Sequence, residues 1–282
     1  MKDYKYENHI MPEPKLPFIF HPRYTQRKRS SLANWHVNIE ILHCIEGSGF
    51  VRCGMGCTEF LPGDIFVVNP DTPHCIGSPE SVSYRCLIID SSFCQENGIP
   101  IGQLQFTPLI RDGQLRQQYE EVFAAYARRE SGEICAIADI RYGVLGLLRN
   151  LCRDYAVPAE ENRSEGDKYV KKAISYIRQN MAKPISLDEV AEYAGVSKFH
   201  LARQFKAYTG SSVITTVNQI RCTEARRLIE GGMSVSEAAV TCGFENLSYF
   251  TRSFKKCFGT VPSAFFRRKN QPESLDNPRL KD

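Results

Sequence analysis

At 282 residues, with 42% apolar and 24% charged side chains, the chain is long enough for two domains that each bury a core. Its composition is not that of a disordered polymer, and no apolar run reaches membrane-spanning length. The N-terminus is charged without a following apolar stretch, so no secretory leader and a cytoplasmic location are expected.

Eleven cysteines are scattered along the chain and read as reduced thiols. Cys53 and Cys57 have no second such pair beside them, which favours small buried or turn-lining residues over half of a metal site. The formal charge of +4 is unevenly divided. Residues 164–270 hold 17 Lys and Arg against 9 Asp and Glu, an excess of +8, while the remainder carries −4. A basic C-terminal part beside a mildly acidic N-terminal part suggests that only the former meets a polyanion.

In chain order, residues 18–90 form short β-rich runs, such as Ile39-Glu-Ile-Leu42, Gly49-Phe-Val51 and Asp64-Ile-Phe-Val-Val68. Turn residues separate them at Gly47, Gly54, Pro62-Gly63 and Pro70, the spacing of a small β-barrel or sandwich. From residue 113 to 155 the period lengthens. Tyr119, Val122, Phe123 and Tyr126 share one helical face, and Ile137, Ile140, Val144, Leu147, Leu148 and Leu151 another. The second stripe is wide enough to cover the barrel and still meet a partner helix. Polar residues with Pro158 and Gly166 read as an exposed linker, and everything beyond to about residue 268 is helical in pattern. The expected organisation is an α+β multidomain chain. It comprises a sensor domain at 1–110, a helical dimerisation segment at 111–156, a linker at 157–167, an all-α domain of about seven helices at 168–270, and a frayed tail at 271–282.

The C-terminal part contains an internal repeat. Ser186-Leu-Asp-Glu-Val-Ala-Glu-Tyr-Ala-Gly195 recurs as Ser234-Val-Ser-Glu-Ala-Ala-Val-Thr-Cys-Gly243, and Arg203-Gln-Phe-Lys206 recurs as Arg252-Ser-Phe-Lys255. Each copy has the parts of a helix-turn-helix. Ser186 with Glu189, and Ser234 with Glu237, can form capping boxes. Ala191 and Ala239 are small where two helices cross, and Gly195 and Gly243 can take the left-handed conformation that ends the first helix. Ser197 and Asn246 can cap the second helix. Leu201 with Phe205, and Phe250 with Phe254, then face a core and turn Arg203 and Arg252 outward.

These residues resemble the AraC/XylS family of bacterial transcription regulators over about residues 169–268. The family signature reads here as Ile185-Ser-Leu-x-x-Val-Ala191, Ser197-x-x-x-Leu-x-Arg-x-Phe-Lys206, Arg221-x-x-x-Ala225, Ala239-x-x-x-Gly-Phe244, Tyr249-Phe-x-Arg-x-Phe-Lys-Lys256 and Gly259-x-x-Pro262. Phe266 replaces the usual arginine near the end of that pattern. The resemblance implies two second helices held by a long connecting helix at about 213–230 and entering successive major grooves, RNA polymerase as a partner, and a homodimer. The DNA-contacting set it implies is Ser197, Lys198, Phe199, Ala202, Arg203, Lys206, Asn246, Leu247, Ser248, Arg252, Lys255 and Lys256. Arginine suits such a place because it can donate two hydrogen bonds to guanine, or one charge to a phosphate.

In the strand region, Asn34-Trp-His36-x-x-x-Glu40 with Gly47, and Gly63-Asp64 with Asn69-Pro-Asp-Thr-Pro-His74, resemble the two motifs of cupin barrels. Cupins commonly hold a metal on three histidines and a glutamate, and Asn34 stands where the first histidine would be. Three readings stay open for Asn34, Trp35, His36, Glu40 and His74: a pocket for a small polar effector, a divalent metal site on His36, Glu40 and His74, or purely structural roles. A metal-dependent isomerase or dioxygenase joined to a DNA-binding domain is the alternative to a sensor.

Overall fold

The computed structural model describes residues 5–267 apart from 8, 10, 13–14, 29–30, 32–33, 54–55 and 159–164. The turn expected at Gly54, the middle of the expected linker and the expected tail lie outside these residues. The chain forms two compact units, Met1–Lys172 with Arg203–Ser211, and Ala173–Ala202 with Ser212–Asp282.

In the first unit, β1 (Lys5–Tyr6), β2 (Phe18–Arg27), β3 (Asn34–Trp35), β4 (Ile39–Gly47), β5 (Gly49–Cys53), β6 (Gly56–Phe60), β7 (Ile65–Val68), β8 (His74–Gly77) and β9 (Ser81–Ile89) are followed by α1 (Ser91–Glu96) and two short strands, β10 (Leu104–Phe106) and β11 (Leu109–Ile110). They make two five-stranded sheets, ordered β1-β3-β8-β5-β6 and β11-β7-β4-β9-β2. The described strands do not close into the expected barrel. Alternating apolar patterning reports only that a strand has a buried face, and two stacked sheets satisfy it as well as a cylinder does.

The second sheet is buried on both faces. Leu42, Cys44, Phe66, Val68, Tyr84, Cys86 and Ile88 pack with Val51, Phe60 and Ile76 of the first sheet. Ile39, Ile41, Ile65, Val67, Leu87 and Ile89 point the other way, into a core shared with α2 (Gly113–Glu130) and α3 (Ala136–Asp154). This explains why β7 reads Ile-Phe-Val-Val without alternation, since a strand covered on both sides has no polar face. Asp112 caps α2 through Gln114 N–H at 2.7 Å, and Tyr119 donates its hydroxyl to the Ile41 carbonyl at 2.9 Å, fixing the helix on the sheet.

The stripe expected to meet a partner is consumed here. Ile140, Val144, Leu147, Leu148 and Leu151 are all buried in the unit's own core, and the exposed side of α3 carries Tyr142 instead. The expected linker also begins and ends as regular structure. β12 (Ala156–Pro158) pairs with β10, and α4 starts at Glu165.

The seven helices α4 (Glu165–Asn180), α5 (Leu187–Ala194), α6 (Lys198–Thr209), α7 (Val213–Glu230), α8 (Val235–Thr241), α9 (Leu247–Phe258) and α10 (Ser263–Arg267) complete the described chain, the division between units falling within α4 and α6. Both capping boxes form, at Ser186 with Glu189 and at Ser234 with Glu237. The connecting helix has the expected limits. In the second unit α7, α8, α9 and α10 share one core of Cys222, Ala225, Ile229, Ala238, Ala239, Cys242, Phe244, Phe250, Phe254 and Phe265. No helix among the described residues is long and apolar enough to cross a membrane.

Candidate functional site

The polar centre of the first unit is assembled by strand register. Asn34 of β3 lies opposite His74 of β8, while Glu40 of β4 pairs with Ile88 of β9, two residues along from the Leu42–Cys86 pair. His36 follows β3 directly. The side chains of His36, Glu40 and His74 therefore converge from two sheets, and all three are buried. Among the described residues they form a group whose possible ligand atoms all lie within 4.8 Å of one another.

Glu40 Oε2 faces Nε2 of His36 at 2.9 Å and Nε2 of His74 at 3.2 Å, and its Oε1 accepts from the Cys86 thiol at 3.1 Å. Burial alone would raise the Glu40 carboxyl, but hydrogen bonds from the two imidazoles and their charge hold it well below the usual carboxylate range. Burial also works against a charged His74, yet its bond to Glu40 and that group's charge lift it above the ordinary histidine value. His36 goes the other way: burial, reinforced by the charge of His9, pulls it down to about 4 despite Glu40. Burial and then the Glu40 charge push the Cys86 thiol well up, so it stays an S–H donor.

The remaining motif residues frame this centre. Asn69 donates to the Phe106 carbonyl at 2.9 Å and accepts the Phe106 N–H at 2.7 Å, acting as a strand partner. Asp64 holds the turn before β7 through Leu61 N–H at 2.9 Å and pairs with Arg111 at 2.8 Å. Trp35 is fully buried, edge-on to Tyr6, with its indole N–H on the Thr209 carbonyl at 3.0 Å within the same unit. It is wall rather than ligand. Asn34 turns its amide to Glu7 instead of into the centre.

Sequence reasoning missed Glu7, His9 and Cys86. The His9 ring sits 4.4 Å from that of His36 and its Nδ1 lies 3.1 Å from the Asn38 amide nitrogen. Glu7 N–H bonds the Trp35 carbonyl at 2.9 Å, continuing the short β1–β3 pairing. The one available signal was a second cluster of Glu and His close to the N-terminus; Cys86 is placed by register alone.

The helical candidates are all accessible. Lys198, Phe199, Arg203, Lys206, Leu247, Ser248, Arg252, Lys255 and Lys256 are exposed, and Ala202 is half-buried, while Leu201, Phe205, Phe250 and Phe254 are buried as the repeat requires. Phe199 is 79% exposed, far more than an aromatic side chain with only a packing role. Ser197 and Asn246, both exposed, also cap their helices as expected, accepting from His200 N–H at 3.3 Å and Tyr249 N–H at 2.9 Å. Lys198 is tethered to Asp188 at 3.1 Å. The turns are held alike: Gly195 and Gly243 have φ of +78° and +81°.

Comparison with known proteins bears on both parts. A family model described as an AraC-like ligand binding domain matches residues 18–138, and one described as a helix-turn-helix domain matches residues 190–268. The multiple antibiotic resistance protein MarA of Escherichia coli (strain K12) is 35% identical over 102 residues, 36% of this chain and 80% of that protein. The xylose operon regulatory protein of Escherichia coli (strain K12) is 33% identical over 104 residues, 36% of this chain and 26% of that protein, so the chain spans about a quarter of this relative's length. Among solved structures, ToxT from Vibrio cholerae O395 is 14% identical and aligns over 89% of this chain and 97% of its own, with a TM-score of 0.41.

Proposed function

The chain belongs to the AraC family of transcription regulators, and we propose that it binds specific DNA sites under the control of a small molecule held in the first unit. The observation that carries this reading is the pair of capped helix-turn-helix units in register, with Arg203 and Arg252 at equivalent exposed places. An exposed arginine on a helix can read a guanine edge or hold a phosphate, and the basic excess of this part of the chain supplies the long-range attraction.

The division of labour follows the expected one: residues 1–110 sense, residues 168–270 bind DNA, and the protein acts in the cytoplasm as a homodimer that contacts RNA polymerase. Family membership supports these assignments. With the α3 stripe buried, self-association uses the outer side of that helix, where Tyr142 is 83% exposed. His36, Glu40 and His74, enclosed by Trp35 and Asn34, form the effector pocket. A ligand that prefers one arrangement of the first unit changes DNA affinity by its differential affinity for the two states.

Selection of bound sequences from random DNA by the full chain tests the reading. A recurrent two-part site, with affinity falling steeply as salt rises, is the expected result. Enrichment of no sequence would overturn it.

A further inference from the structure

Cys222 of α7 and Cys257 of α9 meet in the core that the helices of the second unit share. The Cys222 thiol donates its S–H to the Cys257 sulfur, so the two sulfurs are already in contact across the helix pair. They differ in access. Cys222 is buried, while Cys257, in the last turn of α9 with the exposed Lys256 beside it, is only half-buried. They also differ in acidity. The bond received from Cys222, helped by the Lys256 charge, outweighs burial and holds the Cys257 thiol below its ordinary value. Cys222, which gives up that bond on ionising and is buried as well, is pushed well up. Every other cysteine whose thiol is shifted goes up too, the neighbouring Cys242 to about 12 by burial. A partly open sulfur that favours the thiolate, resting on a protonated partner, is the arrangement of an attacking and a resolving cysteine.

We propose that Cys257 and Cys222 are a modification site for hydroperoxides, closing on oxidation to a disulfide that ties α9 to α7 and lowers DNA affinity. The effect on DNA rests on the reading of the second unit as the DNA-binding part; the thiol chemistry does not. The Cys257 thiolate attacks one peroxide oxygen and the O–O bond breaks. That oxygen stays on sulfur as a sulfenic acid, and the other leaves as water with the proton that Cys257 gave up. The Cys222 sulfur then attacks the sulfenic sulfur, and the sulfenic hydroxyl departs with the Cys222 proton as a second water. Two thiols lose two electrons, and the peroxide gains them. A disulfide holds its sulfurs about 2.05 Å apart, well inside any contact between thiols. Closure therefore pulls the last turn of α9 towards α7, and with it the helix that presents the exposed Arg252, Lys255 and Lys256.

The full chain, reduced and then treated with hydrogen peroxide, is alkylated and digested with trypsin in the absence of reductant. The fragment Cys222–Arg226 joined to Cys257–Arg267, two hydrogens lighter than the pair apart, is the expected product, and dithiothreitol should abolish it. Affinity for the selected DNA site should fall about fivefold or more in the cross-linked chain and return with the reductant. Cys257→Ser should give no linked pair and a DNA affinity indifferent to peroxide, whereas Cys57→Ser, which alters an exposed cysteine of the first unit, should behave as wild type. Mapping of the wild-type chain decides even where a variant fails to fold. Absence of the linked pair, or Cys242 joined to either cysteine in its place, overturns the site. Cys257 recovered as sulfinic acid with Cys222 free does the same. A linked pair with unchanged DNA affinity overturns the regulation. If the pair forms in a chain that selects no DNA even when reduced, the DNA-binding reading fails and the regulation with it, while the disulfide stands.

Discussion

Arg221 of α7 donates from Nε to the carbonyl of Met181 at 2.7 Å, and its Nη2 reaches the Lys183 carbonyl at 2.6 Å. One guanidinium thereby closes the turn between α4 and α5 against the connecting helix. Arg221→Ala removes two charge-assisted bonds and should cost about 2–4 kcal/mol. Arg221→Lys keeps the charge but lacks the rigid planar fork that reaches both carbonyls, and should recover part of that loss. Urea unfolding of the three proteins measures both effects, and an alanine variant as stable as wild type would show that the turn is held by other groups.

The two turn glycines should respond differently to alanine. Both have left-handed φ, but a Cβ added at Gly195 meets nothing within 4 Å, whereas at Gly243 it lies 2.5 Å from the Met181 carbonyl oxygen. Gly195→Ala should cost about 1–2 kcal/mol from backbone conformation alone. Gly243→Ala adds a clash with main-chain atoms and should cost clearly more. Equal losses in chemical denaturation would argue that the Met181 turn yields without strain.

On DNA, Arg203→Ala should cost about 1–3 kcal/mol at a selected site and relax base preference in one half of it. Phe199 and Lys206 stand exposed beside Arg203, an aromatic and charged surface suited to close groove contact. Arg252 lies among Leu247, Ser248 and Thr251, so Arg252→Ala should weaken binding less and more uniformly across sequences. Isotherms on the selected site, on base-substituted sites and on random DNA separate the two outcomes. Equal losses with unchanged preference would assign specificity to other residues or to DNA shape.

Stability should depend on pH through the buried cluster of His36, Glu40 and His74. His36 is held to about 4, below its ordinary 6.5, so between those values the unfolded chain takes up a proton that the native state refuses. Unfolding should become easier as pH falls from 6.5 towards 4. Glu40, also depressed, acts in the same sense: its contribution is complete above the ordinary carboxylate range and lost as pH falls through its native value. His74 is raised, so its contribution is complete below 6.5 and lost as pH climbs through its native value. Denaturation midpoints should fall as pH drops below 6.5 and again as it climbs above 6.5 through the native His74 value, and His74→Gln should remove the alkaline decline. An alkaline decline that survives that substitution would assign it elsewhere.

The helix-turn-helix units were legible because their signals are local. A serine three residues ahead of a glutamate, and a glycine at the end of a short helix, need no knowledge of the rest of the chain. The convergence of His36, Glu40 and His74 was legible from the resemblance of two strand stretches to the cupin motifs. Cys86 was not, because its approach to Glu40 depends on the register between β4 and β9. Nor was the fate of the α3 stripe, since helical periodicity tells which side is buried and not what buries it. The same ambiguity made an open pair of sheets read as a barrel.

Among the described residues β1, at the edge of the first sheet, pairs with β3 through Lys5 and Tyr6, with Glu7 N–H adding one further bond. Beyond it, Glu7 and His9 lie against the groups that frame the pocket. Solvent scarcely reaches His36, Glu40 or His74, so anything that binds there must first displace part of the structure. A two-residue edge pairing opens at far lower free energy than the doubly covered strands β4 and β7. Exposure of His36, Glu40 and His74 to solvent is therefore expected to follow the opening of this first strand rather than the unfolding of the sheet.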